Sequence, residues 1–258
     1  MNNRRAFTLI ELLVVIAIIA MLLAIMVPVL SKAKEQVRTI MCRSNLKQYG
    51  LCVRMYLDDN DYRFPTTTRW LKGAGSGAAA YLREGQQPDG VFWPYLSSFD
   101  IHLCPSFLSA NKGAANAPGD LDIIRGGYVM NSYLGNNGNV WDNWLGPGVK
   151  CVTKESEVSR SSIFTFSEEN FWTIPGYSNW PMNDLHFTVG DASRQIDNFA
   201  TLHNPPGKSR DMGPLTGLNA GSANAAYLDG SVEYIPRAKT ADQLDKNFWR
   251  AWPKAARR

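Results

Sequence analysis

From Phe7 to Leu30 the chain runs for 24 residues with Glu11 as the sole charged position. At 1.5 Å per residue this is about 36 Å of helix, enough to cross a hydrocarbon core. Beyond it the apolar pattern becomes periodic. Cys42, Leu46, Tyr49, Val53 and Tyr56 recur at steps of four and three, which places them on one helical stripe. Arg43, Lys47, Arg54 and Asp58 fall on a flank away from that stripe. The pattern predicts one long helix with an amphipathic continuation over 31–60, ending near Asp58-Asp59-Asn60-Asp61 ahead of Phe64-Pro65. From Thr66 onward short segments alternate with Gly, Pro and Asn, and the expected fold class is α+β. Gly73–Gly77 and Asn111–Gly119 read as loops, and Gly126–Gly148 as an irregular insertion. Val91–Leu96 and Ile101–Leu103 read as short apolar elements. Ser162–Phe166 alternates as a strand should, and Ser222–Ile235 forms the best hairpin. Its Asp229-Gly230 suits a two-residue type I′ turn, with Tyr227 opposite Val232, Ala225 opposite Tyr234 and Ala226 opposite Glu233.

Glu11 needs an explanation, because a carboxylate in a membrane helix costs about 2.5–3.5 kcal/mol at its centre and less near an end. Arg4 and Arg5 precede the apolar run, and the positive-inside tendency then puts the N-terminus in the cytoplasm and the larger part of the chain outside. Lys32 and Lys34 lie beyond it. A secretory signal peptide would have a core of about 7–15 apolar residues closed by a small-x-small cleavage site. This run is longer and has no such ending.

The junction Arg4-Arg5-Ala6-Phe7-Thr8-Leu9-Ile10-Glu11 resembles the processing site of type IV prepilins and type II secretion pseudopilins. The resemblance implies a leader over 1–6, removed by prepilin peptidase between Ala6 and Phe7, with N-methylation of the new Phe7 terminus. The family usually has Gly before the cut, where this chain has Ala6. Glu11 falls at the fifth mature position and Pro28 at the twenty-second, both as in the family. In such proteins the carboxylate is thought to pair with the N-terminal amine of a neighbouring subunit, which makes Phe7 and Glu11 assembly residues. Pro28 should kink or locally open the helix. The implied architecture is pilin-like: a transmembrane and assembly helix over 7–30, its amphipathic continuation over 31–60, and a head over 61–258 built on an antiparallel sheet. The hairpin region also resembles a C-terminal motif of large pilin-like proteins, a His followed nine residues later by Asp-Gly. Asp229 and Gly230 match, but the His position is Asn219, and His203 lies too far upstream for the spacing. Leu103-Cys104-Pro105-Ser106 and Asn45-Leu46-Lys47-Gln48 resemble the same proteins loosely.

Composition narrows the function classes. The formal charge is +4, without a dense Lys/Arg block outside the first turns and the tail, so nucleic acid is not an expected partner. Eight Trp, 10 Tyr and 11 Phe suffice for a substantial core. Cys42, Cys52, Cys104 and Cys151 form no C-x-x-C pair, which argues against a zinc or redox site. Cys42 and Cys52 stand about 15 Å apart along one helix, beyond disulfide reach. A bridge to Cys104 or Cys151 is not readable from the sequence.

His102, His186 and His203 lack metal-ligand spacing and read as loop or surface residues. Glu168 and Glu169 would need another carboxylate across a cleft to act on a glycoside. No catalytic residue, metal ligand or cofactor is therefore expected. The resemblance brings calcium into view at Asp184, Asp191 and Asp197, but no specific motif supports it, and Asp58–Asp61 lacks the Gly and distal Glu of an EF-hand.

The reading is a non-enzymatic structural subunit of a type IV pilus or type II secretion pseudopilus. It sits in the inner membrane with its head periplasmic or extracellular, and its partners are prepilin peptidase and other pilin or pseudopilin subunits. The alternative is a single-span anchored protein with an adhesive or enzymatic head. Trp141, Trp144, Trp172 and Trp180 are its candidate sugar-stacking faces, although Trp is more often core.

Overall fold

A computed structural model describes residues 8–67, 69–71, 89–111, 127–135, 151–159, 163–168, 186–187, 199, 203 and 221–236. The readings placed on the leader, Ala6 and Phe7, on the 73–77 loop and on 112–119 lie outside these residues. So do those on Trp141, Trp144, Glu169, Trp172, Trp180, Asp184, Asp191, Asp197 and Asn219.

Helix α1 spans Leu9–Asp59, 51 residues, and continues through Pro28. Pro28 has no N–H, so the carbonyl of Ala24 loses its ladder partner there. A capping box starts the helix: the Glu11 N–H donates to Thr8 Oγ1, and the Thr8 N–H donates to Glu11 Oε2 at 2.8 Å. The helix stops because Asp61 and Tyr62 take positive φ, 51° and 54°, turning the chain back so that the Tyr62 N–H donates to the Leu57 carbonyl.

The two ends of α1 have different surroundings. Every residue from Leu9 to Leu30 is exposed, whereas Thr39, Cys42, Leu46, Tyr49, Cys52, Val53 and Leu57 are buried against the head. The stripe read from the sequence is the buried face, with Tyr56 at its edge. The polar flank differs from expectation, because two of its members grip the head. Arg54 makes a two-pronged ion pair with Glu155, at 2.7 and 2.9 Å. Arg43 donates to the Val232 carbonyl and lies over the Tyr234 ring. Both use long stems to reach over the edge of the apolar face.

Among the described residues five strands make one sheet, ordered β3-β1-β2-β4-β5. They are β1 (Tyr128–Asn131), β2 (Phe164–Glu168), β3 (His186–Phe187), β4 (Ser222–Tyr227) and β5 (Val232–Pro236). β1, β2, β4 and β5 pair antiparallel, and β3 joins β1 in parallel. The layout is α+β and pilin-like, with α1 lying on β2, β4 and β5. Tyr49 anchors the contact: it stacks on Phe166 at 4.6 Å between ring centroids, and Trp70 meets both rings edge-on. A short helix α2, Pro105–Asn111, also packs on α1.

The hairpin exists, but its register differs by one residue from the expected one. Ala226 pairs with Val232, Ala225 with Glu233 and Asn224 with Tyr234. The loop has three residues, Leu228 to Gly230, closed by the Tyr227 N–H to the Ser231 carbonyl at 2.9 Å. Of these three, Gly230 alone has positive φ, 81°. Asp229 instead accepts from the Ser231 N–H through Oδ1 at 2.8 Å. Asp-Gly serves this turn-plus-bulge as readily as a type I′ turn, since both place Gly at positive φ, and the extra loop residue shifts every cross-strand partner.

Candidate functional site at the junction of helix and sheet

Four segments distant in sequence meet beneath α1. Cys42 comes from the buried stripe of α1, Cys104 from the residue before α2, Glu168 from the end of β2, and His203 from a two-way backbone bridge with Ser222 of β4. All four side chains are completely buried, and their ligand-type atoms lie within 4.8 Å of one another. The two Sγ atoms are 2.9 Å apart and both thiols are free. His203 Nε2 is 2.9 Å and Cys104 Sγ 3.4 Å from Glu168 Oε1.

Three of the four members are held from behind. The Thr39 hydroxyl donates to the Glu35 carbonyl at 2.9 Å, so it accepts from His203 Nδ1–H at 3.1 Å. Ser106 Oγ and Glu35 Oε1 also lie near Nδ1, at 3.4 and 3.8 Å. The backbone N–H and the Nδ2 of Asn224 both donate to Glu168 Oε2, at 2.7 and 3.2 Å. The Phe107 N–H points at Cys104 Sγ, 3.4 Å away. Gly127 leaves room for that cysteine: a Cβ there would stand 2.3 Å from Cys104 Cβ.

The electrostatics follow from burial and contact. Burial alone would lower the His203 pKa, but the adjacent Glu168 carboxylate and Cys42 raise it to about 10. Burial opposes ionisation of Cys42, yet hydrogen bonds from Cys104 and His203 bring its thiol down to about 7. Burial pushes the Cys104 thiol well above its usual 9.0. Cys42 is thus the more acidic of the two thiols, and it shares the dry core with the His203 ring.

Two histidines expected at the surface are core residues. His203 joins the cluster above. His102 accepts the Tyr49 hydroxyl on Nδ1 at 2.6 Å, donates from Nε2 to the Leu96 carbonyl at 3.1 Å and stacks against Trp93. Burial lowers its pKa from the ordinary 6.5. Glu168 faces His203 and Asn224 inside the core, rather than another carboxylate across a cleft. His203 was also too far upstream, by spacing, to belong with Asp229-Gly230. The fold nonetheless puts it beside Ser222: the His203 N–H donates to the Ser222 carbonyl at 3.1 Å, and the Ser222 N–H donates to the His203 carbonyl at 2.7 Å. The sequence held partial signals for three members: Cys42 on the stripe, Cys104 in Leu-Cys-Pro-Ser, and Glu168 ending an alternating strand. It held none for His203.

At the other end of α1, Thr8 Oγ1 and the Thr8 N–H both donate to Glu11 Oε2 at 2.8 Å. The carboxylate therefore stays in the first helical turn. Pro28 lies near the end of the wholly exposed apolar surface, and Asp229 and Gly230 form the hairpin tip; a Cβ added to Gly50 of α1 would stand 3.8 Å from Gly230 Cα.

Residues 1–27 match the family model of the prokaryotic N-terminal methylation motif. The chain is 34% identical over 92 residues to the type II secretion system core protein G of Klebsiella pneumoniae. That stretch covers 36% of this chain and 65% of the relative, so the chain spans just under two thirds of the relative's length. No solved structure matches the chain. Motif, relative and the helix-on-sheet layout together describe a pilin- or pseudopilin-like protein.

Proposed function

We propose that the chain is a structural subunit of a type IV pilus or a type II secretion pseudopilus, assembled through the first half of α1. The observation that carries this reading is the run from Leu9 to Leu30. It is helical, apolar and wholly exposed, and it continues without a break into a stem packed on the head. One isolated span would explain the apolar surface, and the capping box gives Glu11 a local role, but neither gives its charge a partner of opposite sign. Cleavage between Ala6 and Phe7 creates a cationic α-amino group, and a buried charge needs a partner. Glu11 of a neighbouring subunit supplies one. The capping box survives such a cut, because Thr8 keeps its amide N–H, and it holds the carboxylate close to the new terminus. Exposed Val37, Ile40, Met41, Leu51 and Met55 extend the apolar outer surface of α1 beyond the membrane, which suits helix packing within a filament.

Prepilin peptidase and other subunits are the partners in this reading, with the span in the inner membrane and the head outside. We take the subunit to be non-catalytic, since the converging Cys, Glu and His groups are sealed in the core.

Mass spectrometry of the chain from its native membrane tests the processing step, with N-methyl-Phe7 as the expected terminus. An uncut leader would favour a plain anchored protein. Glu11→Ala tests assembly: the protein should still be processed and folded, yet enter filaments poorly. Normal assembly of the processed variant would overturn the ion-pair reading.

A further inference from the structure

We propose that Cys42, Cys104, Glu168 and His203 form a structural zinc site that staples the stem helix to the sheet. The donor chemistry is two sulfurs, one imidazole nitrogen and one carboxylate oxygen, a set suited to tetrahedral Zn²⁺. Four protein ligands close the coordination shell, as structural sites do, whereas a catalytic site keeps a position open for water.

The geometry supports convergence on one point. One ligand atom from each residue lies within 4.8 Å of the other three, and Glu168 Oε1 is 2.9 Å from His203 Nε2 and 3.4 Å from Cys104 Sγ. The far atoms are engaged elsewhere: His203 Nδ1 with Thr39, and Glu168 Oε2 with Asn224. Metal-bound histidine has just this arrangement, with its other N–H donated to a second partner that fixes the tautomer. The 2.9 Å between the sulfurs exceeds the roughly 2.05 Å of a disulfide. Around zinc, with Zn–S near 2.3 Å, they would stand about 3.8 Å apart, so the thiols need to separate by less than an ångström.

Binding is balanced as follows. Zn²⁺ enters and two protons leave to solvent, one from the Cys104 thiol and one held by the Cys42–His203 pair; Glu168 binds as a carboxylate and His203 as neutral imidazole carrying Nδ1–H. The centre then has a net charge of −1, offset by the N–H groups of Asn224 and Phe107 directed at its ligands. The four ligands come from α1, the start of α2, β2 and the His203 bridge to β4, so one ion ties the stem to three parts of the head. This holds whichever filament the subunit serves.

The test uses the full chain, extracted in detergent without chelator. Elemental analysis should find about one zinc per chain, and removing it should lower Tm by about 8–16 °C. Adding Co²⁺ alone to the metal-free, reduced protein should give thiolate-to-cobalt charge-transfer absorption and tetrahedral d–d bands. Both should weaken in Cys42→Ser. Because Cys42→Ser also alters the core, Thr39→Val provides a milder second variant. It removes the acceptor for His203 Nδ1–H while keeping the side-chain shape, and it should weaken zinc binding about 10–100-fold in competition with a chelator. Three outcomes would overturn the proposal: no metal uptake by the reduced chain, uptake unchanged in both variants, or a Cys42–Cys104 disulfide in protein alkylated directly from the cell envelope.

Discussion

Residues 9–30 and 39–57 belong to one uninterrupted helix, yet they present opposite surfaces. The first stretch is apolar apart from Glu11 and wholly exposed, so nothing among the described residues removes it from water. The second alternates buried Cys42, Leu46, Tyr49, Val53 and Leu57 with polar positions, and it lies on the sheet. The contrast separates two ways of satisfying a helix: for one half, in the function proposed above, an outside solvent of lipid or neighbouring subunits, and for the other the chain's own core. It follows that head stability and membrane behaviour are separable by mutation.

The sharpest way to break that separation is a matched pair of truncations. Leu46→Ala opens a cavity under the head and should destabilise it by about 2–5 kcal/mol. Ile18→Ala, on the exposed half, should leave the head's denaturation midpoint unchanged; an equal loss from both would refute the division. Gly230→Ala comes next. At φ 81° an L side chain is strained, which should cost about 1–2 kcal/mol, although open space surrounds the position. Thermal melts followed by circular dichroism measure both.

The pH response of the packed half offers a gentler probe. His102 has its pKa lowered from 6.5 by burial, so as pH falls below about 6.5 the unfolded chain takes up a proton that the folded chain resists. Its share of stability is present above that pH and drains away on the acid side, down to the lowered folded value. Melts between pH 7.5 and 5 should therefore show a shallower acid-side decline in His102→Asn than in the parent protein. The smallest effect belongs to Arg54→Ala. Its pairs with Glu155 and Asp58 are partly solvated, and their loss should cost less than about 1 kcal/mol and be masked by salt. Together these bound how much of the stem's attachment is apolar and how much ionic.

Local patterning determined a good deal. The unbroken apolar run, the buried stripe of α1, its stop near Asp59, the β2 strand and the presence of a hairpin at Asp229-Gly230 all follow from periods of 3.6 and 2 and from turn residues, which neighbours in sequence enforce. Glu11 was legible for the same reason, because its oddity is a matter of the residues around it. The hairpin register was not, since type I′ and three-residue loops share the same Asp-Gly letters, and the pairing of whole strands decides between them.

The buried cluster was the least legible feature. Cys42, Cys104, Glu168 and His203 are separated by dozens of residues, and no fixed spacing links them. They meet only because α1 lies across the sheet and because His203 and Ser222 close a two-bond bridge. Sequence by itself settled the long helix, the strand near Phe164–Phe166 and the hairpin, and which surface would seek an apolar neighbour. By contrast, β1 lies inside the stretch read as an irregular insertion, and α2 was not legible as a helix. Tertiary structure alone decided which polar groups share the dry space between helix and sheet, because that choice depends on contacts between residues remote along the chain, which no local period encodes.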